Sequence, residues 1–314
     1  MSASSSNRPG PREIFQRLLE TTRAGAWDEM VDLYHPDVLI EMPFAPPGVP
    51  KSSRGREELR GRIRSGVVAA DRRIDGVEVT AVHDTPDPEV IAAEWILAGE
   101  VGSTGRCFRV AYLMLMRVRD GLIVASRDYS DMFATAVAFD RLPALAAAYQ
   151  GPLAGFVRDP GLDPVPYTGF DPRPLFARMA EAAGRADWVT FAALFAEDGV
   201  MEYPFPMPGL PSRLEGREAI RAQYASLNVE GGVAPTGLVD PLVHATLDPD
   251  VFLVEYILVG TARSGHPYRI PFAAVIRAQE GLFRSVRDYT DLFAASAVRG
   301  VLSDLVAGTA AAAD

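Results

Sequence analysis

The sequence predicts two tandem α+β domains, each a cone-shaped barrel in which a curved antiparallel sheet wraps over helices. Three observations lead there. The chain has 314 residues, it repeats itself at a spacing of 161 and then 160, and each copy runs from helical periodicity into alternating strand segments. At roughly 150 residues per domain, the length holds two.

The repeat is read directly from matched phrases. At a spacing of 161, Trp27 meets Trp188, and Glu41-Met42-Pro43-Phe44 meets Glu202-Tyr203-Pro204-Phe205. Gly55-Arg56-Glu57 meets Gly216-Arg217-Glu218, His83 meets His244, and Glu94 meets Glu255. After one deletion the spacing is 160, and Arg127-Asp128-Tyr129 meets Arg287-Asp288-Tyr289. A period this long marks whole domains rather than solenoid units. The expected boundaries are 11–140 for the first domain, 141–170 for a linker and 171–300 for the second. The linker is expected to run extended, because Pro152, Pro160, Pro164 and Pro166 alternate there with Gly151, Gly161 and Gly169. The Ala-rich tail from Val306 reads as a fraying end.

Each element has a local reason. Ile14, Leu18 and Leu19 recur at helical spacing, and a second helix is expected over Trp27–Tyr34. A short strand, Val38–Met42, ends at Pro43. Gly55 opens a third helix. Strands follow at Val77–His83, Val90–Leu97, Phe108–Arg119 and Leu122–Phe133, with Asp120-Gly121 as a hairpin turn.

Composition narrows the function. Hydrophobic residues are 48% and charged residues 23%, which suits full cores. The net charge of −10 and the lack of a Lys/Arg cluster argue against nucleic acid. No run of about 18 uncharged apolar residues is present, so no membrane span is expected. Met1–Gly10 lacks the apolar core of a signal peptide, and a soluble cytoplasmic protein is the expectation. The single Cys107 and four scattered histidines predict neither a disulfide nor a metal site, and no phosphate loop or nucleophile elbow is found.

Helix–helix–strand–helix–sheet closing on Arg-Asp-Tyr-x-Asp-x-Phe resembles the SnoaL-like branch of the nuclear transport factor 2-like fold. Within it, Thr85-Pro86-Asp87-Pro88 running through Glu94 to Gly99 is most similar to the phenazine-biosynthesis A/B proteins, and the Glu41 phrase to limonene-type epoxide hydrolases. The resemblance implies that Asp128 and Asp288 look into a pocket as acid or base, and that Glu41 and Glu202 orient water or act as a base. It also implies a small hydrophobic substrate, no cofactor, and dimer-like pairing of the two units within one chain, as a monomer or a further homodimer. Two departures count against copying either reaction. Trp95 and Leu97, or Tyr256 and Leu258, stand where the epoxide hydrolases carry Arg and Asp. Arg62 and Gly66, or Gln223 and Leu227, stand where the phenazine proteins carry His and Ser.

The remaining candidates come from the residues themselves. Glu94 and Glu255 lie in strands apolar on both faces, where a carboxylate must find a partner such as Arg109 or Arg127, or turn neutral. Trp95, Tyr256, Phe44 and Phe205 are candidate pocket linings, with His83 and His244 at strand ends. The expected function is a cofactor-independent acid/base enzyme of natural-product metabolism, cyclising, isomerising or dehydrating a polyketide-like or aromatic intermediate. The alternatives are an epoxide-opening hydrolase or cyclase and a non-catalytic small-molecule-binding module.

Overall fold

The computed structural model describes residues 8–68, 71–151, 153, 158–164, 173–231 and 235–311. Within them the two copies repeat one order of elements. The first copy begins with α1 (Pro11–Ala24), whose Ile14, Phe15, Leu18 and Leu19 are buried on one stripe. Gly25 stops that helix at φ +66°, a left-handed cap that lacks a Cβ penalty. Then come α2 (Trp27–Asp32), β1 (Tyr34–Glu41), β2 (Ser52–Arg54) and α3 (Arg56–Arg62), which passes into a π-helical turn, Ile63–Val68. Strands β3 (Arg72–Asp84), β4 (Val90–Val101), β5 (Arg106–Arg119) and β6 (Leu122–Ser130) complete the sheet, followed by α4 (Met132–Ala138) and α5 (Leu142–Ala148).

The second copy runs α6 (Arg173–Gly184), α7 (Trp188–Ala193), β7 (Phe195–Glu202), β8 (Arg213–Glu215) and α8 (Arg217–Gly231). It continues with β9 (Pro235–Ala245), β10 (Val251–Thr261), β11 (Pro267–Gln279), β12 (Leu282–Thr290), α9 (Leu292–Arg299) and α10 (Leu302–Ala311). The sheets have the matching orders β2-β1-β6-β5-β4-β3 and β8-β7-β12-β11-β10-β9. The β1–β6 and β7–β12 pairs are parallel, and the other pairs are antiparallel.

Register sorts the side chains onto two faces, because directly paired residues share a face and neighbours along a strand do not. In the first copy Glu41 pairs with Arg127, Arg127 with Leu115 and Glu94 with Leu113, which places Glu41, Arg127 and Glu94 on one face. Ile40, Ser126 and Asp128 point to the other, along with Trp95. The second copy divides in the same way, with Glu255 opposite in sense to Tyr256 and Asp288.

Several local expectations shift. Tyr34 opens β1 rather than closing a helix, since its strand pairs with Ile123. Phe133 is helical: Asp131 ends the strand and accepts from the Ala134 N–H at 2.8 Å, capping α4. The Asp120-Gly121 hairpin has both φ angles positive, +55° and +80°, as a type I′ turn requires, and Glu280-Gly281 repeats it. Gly99 is required by packing, because a Cβ there would collide with the Arg73 carbonyl and the Phe108 ring.

Of the segment expected to be an extended linker, 152, 154–157 and 165–170 lie outside the described residues, and the described part carries structure. It contains α5, and a 3-10 turn at Pro160–Leu162 buries Leu162. The Arg117 guanidinium donates to the Gly161 carbonyl at 3.0 Å, and Asp159 receives its own partners on the first sheet. Proline and glycine composition reports lack of regular structure, not lack of packing. Two compact units result. One comprises residues up to 43, 50–130 and 159–162; the other comprises 44–49, 131–158 and 163 onward. Helices α4 and α5, which follow the first copy's last strand, thus belong to the second unit. No described helix is long and apolar enough to cross a membrane.

Candidate active site

In the second unit, helices α6, α7 and α8 close over the Asp288 face of the sheet and leave a cavity of about 250 Å³. Met179, Trp188, Phe191, Tyr224, Tyr256 and Phe272 contribute its mostly apolar wall, and Asp288 lies in it. A smaller chamber of about 150 Å³ adjoins it, lined by Tyr203, Phe205, Met207 and Gln223. Asp288, Tyr224, Ala295 and Arg299 line both, so the carboxyl stands where the chambers meet.

Packing fixes these polar groups. Tyr224 is held between Phe191, at 4.6 Å between ring centres, and Trp188, at 5.3 Å. Its hydroxyl lies 3.3 Å from the Tyr203 hydroxyl. Tyr256 stacks on Phe272 at 5.3 Å, one strand over. Desolvation raises the Asp288 carboxyl from the usual Asp range to about 7, opposed only by the Thr290 hydroxyl. Tyr203, Tyr224 and Tyr256 are held protonated mainly by burial, with Asp288 adding to the effect on each. The buried Trp188 Nε1 has no hydrogen-bond partner among the described residues, a donor available in the cavity wall.

The first unit presents Asp128 at the matched place, also raised to about 7 by burial. The Ser126 hydroxyl donates to its Oδ2 at 3.2 Å, while Oδ1 is buried without a partner among the described residues. Arg62 acts on it electrostatically, and Tyr34 feels its charge in turn. Trp95 stacks on Tyr112 at 4.3 Å, as Tyr256 does on Phe272.

The other carboxylates expected at the site are placed elsewhere. Glu41 is 1% exposed and meets Arg127, itself fully buried, at 2.7 Å on the opposite face of the sheet. Its second oxygen accepts from the Asp159 N–H at 2.7 Å. Glu202 pairs instead with Arg213 in a half-exposed contact. Glu94 bonds His83 Nε2 at 2.8 Å, and Glu255 bonds His244 Nε2 at 2.8 Å, each across neighbouring strands. A histidine is thus one partner of each glutamate, while Arg109 binds Glu78. These pairs lie on the face away from Asp128 and Asp288, so neither the glutamates nor the histidines join the cavity carboxyl. Phe205 lines the smaller chamber, and Phe44 packs edge-on against it at 6.1 Å.

Tyr203, Tyr224, Trp188, Arg62 and Tyr34 were not singled out from the sequence as site residues. The available signal was their position: Tyr203 sits inside the matched Glu202 phrase, and Tyr224 adjoins Gln223 on the third helix of the copy. The Thr-x-Asp-Pro phrase is a turn rather than a site. Thr85 Oγ1 donates to the Asp87 and Val90 carbonyls at 2.9 and 3.0 Å, and Arg117 clamps Asp87 at 2.7 Å. Thr246, Asp248 and Arg277 repeat it. Among the described residues no three His, Cys, Asp or Glu side chains gather as a metal site.

This fold, written twice, defines a class. The chain belongs to the SnoaL-like domain family, whose model matches residues 15–126 and 176–286, one match in each copy. An uncharacterised PhzA/B-like protein of Pseudomonas aeruginosa is 30% identical over 135 residues, spanning 43% of this chain and 92% of the relative. YesE of Bacillus subtilis, also uncharacterised, is 29% identical over 104 residues, 33% of this chain and 67% of its own. Among solved structures, IdmH of Streptomyces antibioticus, a polyketide cyclase candidate, is 23% identical with a TM-score of 0.34, covering 42% of this chain and 98% of that one. A Mycobacterium tuberculosis protein bound to estradiol-17β-hemisuccinate is 22% identical with a TM-score of 0.33, covering 37% and 89%.

Proposed function

We propose that the second unit catalyses proton transfer on a neutral, mostly apolar carbonyl compound, as an isomerase or cyclase that needs no cofactor. The observation that carries this reading is the position of Asp288 beside Tyr224 where two chambers meet. A carboxyl near 7 exchanges its proton readily at neutral pH. Ionised Asp288 removes a proton from the carbon next to the carbonyl, and the electron pair moves onto the carbonyl oxygen. Tyr203 and Tyr224 share one hydrogen bond between two O–H groups, so one phenolic proton is left to donate to that oxygen. Asp288 then returns its proton to another carbon, or the enolate attacks an electrophilic carbon of the same molecule. The first outcome is isomerisation and the second is ring closure. Atoms balance in both without a further reactant.

The apolar lining favours an aromatic or polyketide-like body. Epoxide hydrolysis finds less support, since Trp95 and Tyr256 stack in the sheet where that chemistry requires a charged middle-strand pair.

The proton-transfer step is tested without knowing the natural substrate. The full chain is incubated with 2-tetralone in deuterated buffer, and loss of the α-proton signals is followed by NMR. Catalysed exchange is expected to rise with pH through about 7, where Asp288 ionises, and to fall by roughly 10²–10⁴-fold in Asp288→Asn. Exchange that survives Asp288→Asn undiminished overturns the proposal.

A further inference from the structure

The two copies have exchanged their polar groups. Three of the tyrosines lining the second unit's chambers, Tyr203, Tyr224 and Tyr256, correspond to Met42, Ile63 and Trp95 in the first copy. The first copy is polar where the second is not. Register traces one row across the face that carries Asp128 or Asp288 in each sheet: Ser53, Ile40, Ser126, Met116 and Ile91 in the first, against Leu214, Met201, Val286, Ile276 and Phe252 in the second. Two hydroxyls therefore stand in place of Leu214 and Val286. Arg62 reaches the same face, where the second copy has Gln223.

Arg62 is part-buried and its contacts are neutral. Nη1 donates to Ser53 Oγ at 3.0 Å and Nη2 to Met42 Sδ at 2.6 Å. No carboxylate of the described residues forms an ion pair with it. Glu58 and Asp128 act on it only through space, and burial outweighs them, drawing its pKa below the usual guanidinium value. A part-buried cation with neutral partners is costly unless an anion completes it. Nearby, Asp128 Oδ1 is a buried oxygen with no partner among the described residues. A planar guanidinium with a carboxyl oxygen close by fits a second carboxyl group: the guanidinium takes its charge, and Asp128, when protonated, donates to it.

We infer that the first unit is a binding site for a carboxylate-bearing aromatic or polyketide-like ligand, anchored by Arg62 between Ser53 and Asp128. The two copies thus take ligands of different charge, an acid in the first and a neutral carbonyl compound in the second. The inference rests on the first unit's own residues and stands apart from the chemistry proposed for Asp288.

Calorimetric titration of the full chain with 2-naphthoate and with its neutral isostere 2-naphthamide tests it. The acid is expected to bind at least about tenfold more tightly than the amide, a difference of about 1.4 kcal/mol. Arg62→Gln, which installs the second copy's own residue, should abolish that preference. Arg62→Lys should keep most of it. Because Arg62 has no ionic partner to orphan, both variants are expected to fold, as circular dichroism would register. Equal binding of acid and amide by the unaltered chain overturns the inference. So does a preference for the acid that persists in Arg62→Gln. Should that variant fail to fold, Arg62→Met provides the same comparison.

Discussion

Arg127 and Glu41 form a fully buried ion pair that also bonds Asp159, through its N–H to Glu41 and its carbonyl to Arg127. Removing one member leaves an uncompensated charge in a dry environment. Arg127→Ala is therefore expected to cost about 3–5 kcal/mol in urea unfolding, whereas Arg213→Ala, which breaks the half-exposed pair with Glu202, should cost no more than about 1 kcal/mol. Equal losses would show that burial does not separate the two copies. The pairing also explains what the sequence concealed at this scale. The matched placement of Asp128 and Asp288 was legible because one motif ends the sheet in both copies. Glu41 and Glu94 looked equivalent to them, since repetition marks a residue as constrained without saying by what. Alternation already separates Glu94 from Trp95, yet which face is concave depends on helices packed from elsewhere. The Asp159 contact lies 118 residues from Glu41, beyond any local pattern.

Elements whose causes are local were read most accurately. The amphipathic stripe of α1 and the Asp120-Gly121 turn need nothing outside their own segments. Strand starts and the turn at Pro160–Leu162 depend on distant pairing, so β3 begins earlier than expected, at Arg72, and that turn packs on the first sheet. The twin hairpins offer a controlled comparison. Gly281 sits at φ +76° with no atom within 4 Å of an added Cβ, so Gly281→Ala meets only backbone strain, about 1–2 kcal/mol. Gly121, at φ +80°, would in addition press its new Cβ to 3.2 Å from the Pro9 ring. Gly121→Ala is expected to be the more destabilising of the two in thermal unfolding, and the reverse order would refute that account of the turn.

At the scale of the whole molecule, the duplicated buried carboxyls make stability depend on pH in an unusual direction. Asp128 and Asp288 are raised to about 7 by burial, against an ordinary value of 3.8. Between about pH 4 and pH 7 the unfolded chain has released these protons while the folded chain retains them. The unfolded state then binds fewer protons, so stability falls as pH rises through that window, at most about 1.4 kcal/mol per pH unit for each group. Below about pH 4 both states are protonated, and above about pH 7 both are ionised, so the slope from these groups vanishes at either end. Carboxylates paired with arginine, such as Asp28 with Arg60 and Glu89 with Arg119, are shifted down and act below the window. Asp131, raised to about 6 by burial, adds to the decline within it, so the comparison between variants is what isolates the cavity groups. Asp128→Asn and Asp288→Asn should each flatten the fall in unfolding free energy measured by urea titration from about pH 4 to pH 8. Asp128 and Asp288 belong to different compact units and share no hydrogen-bond partner. Their effects should therefore add in the double variant to within about 0.5 kcal/mol. A slope unchanged in both single variants would mean that these carboxyls are hydrated in the folded chain, and the acid/base role proposed for Asp288 would lose its physical basis.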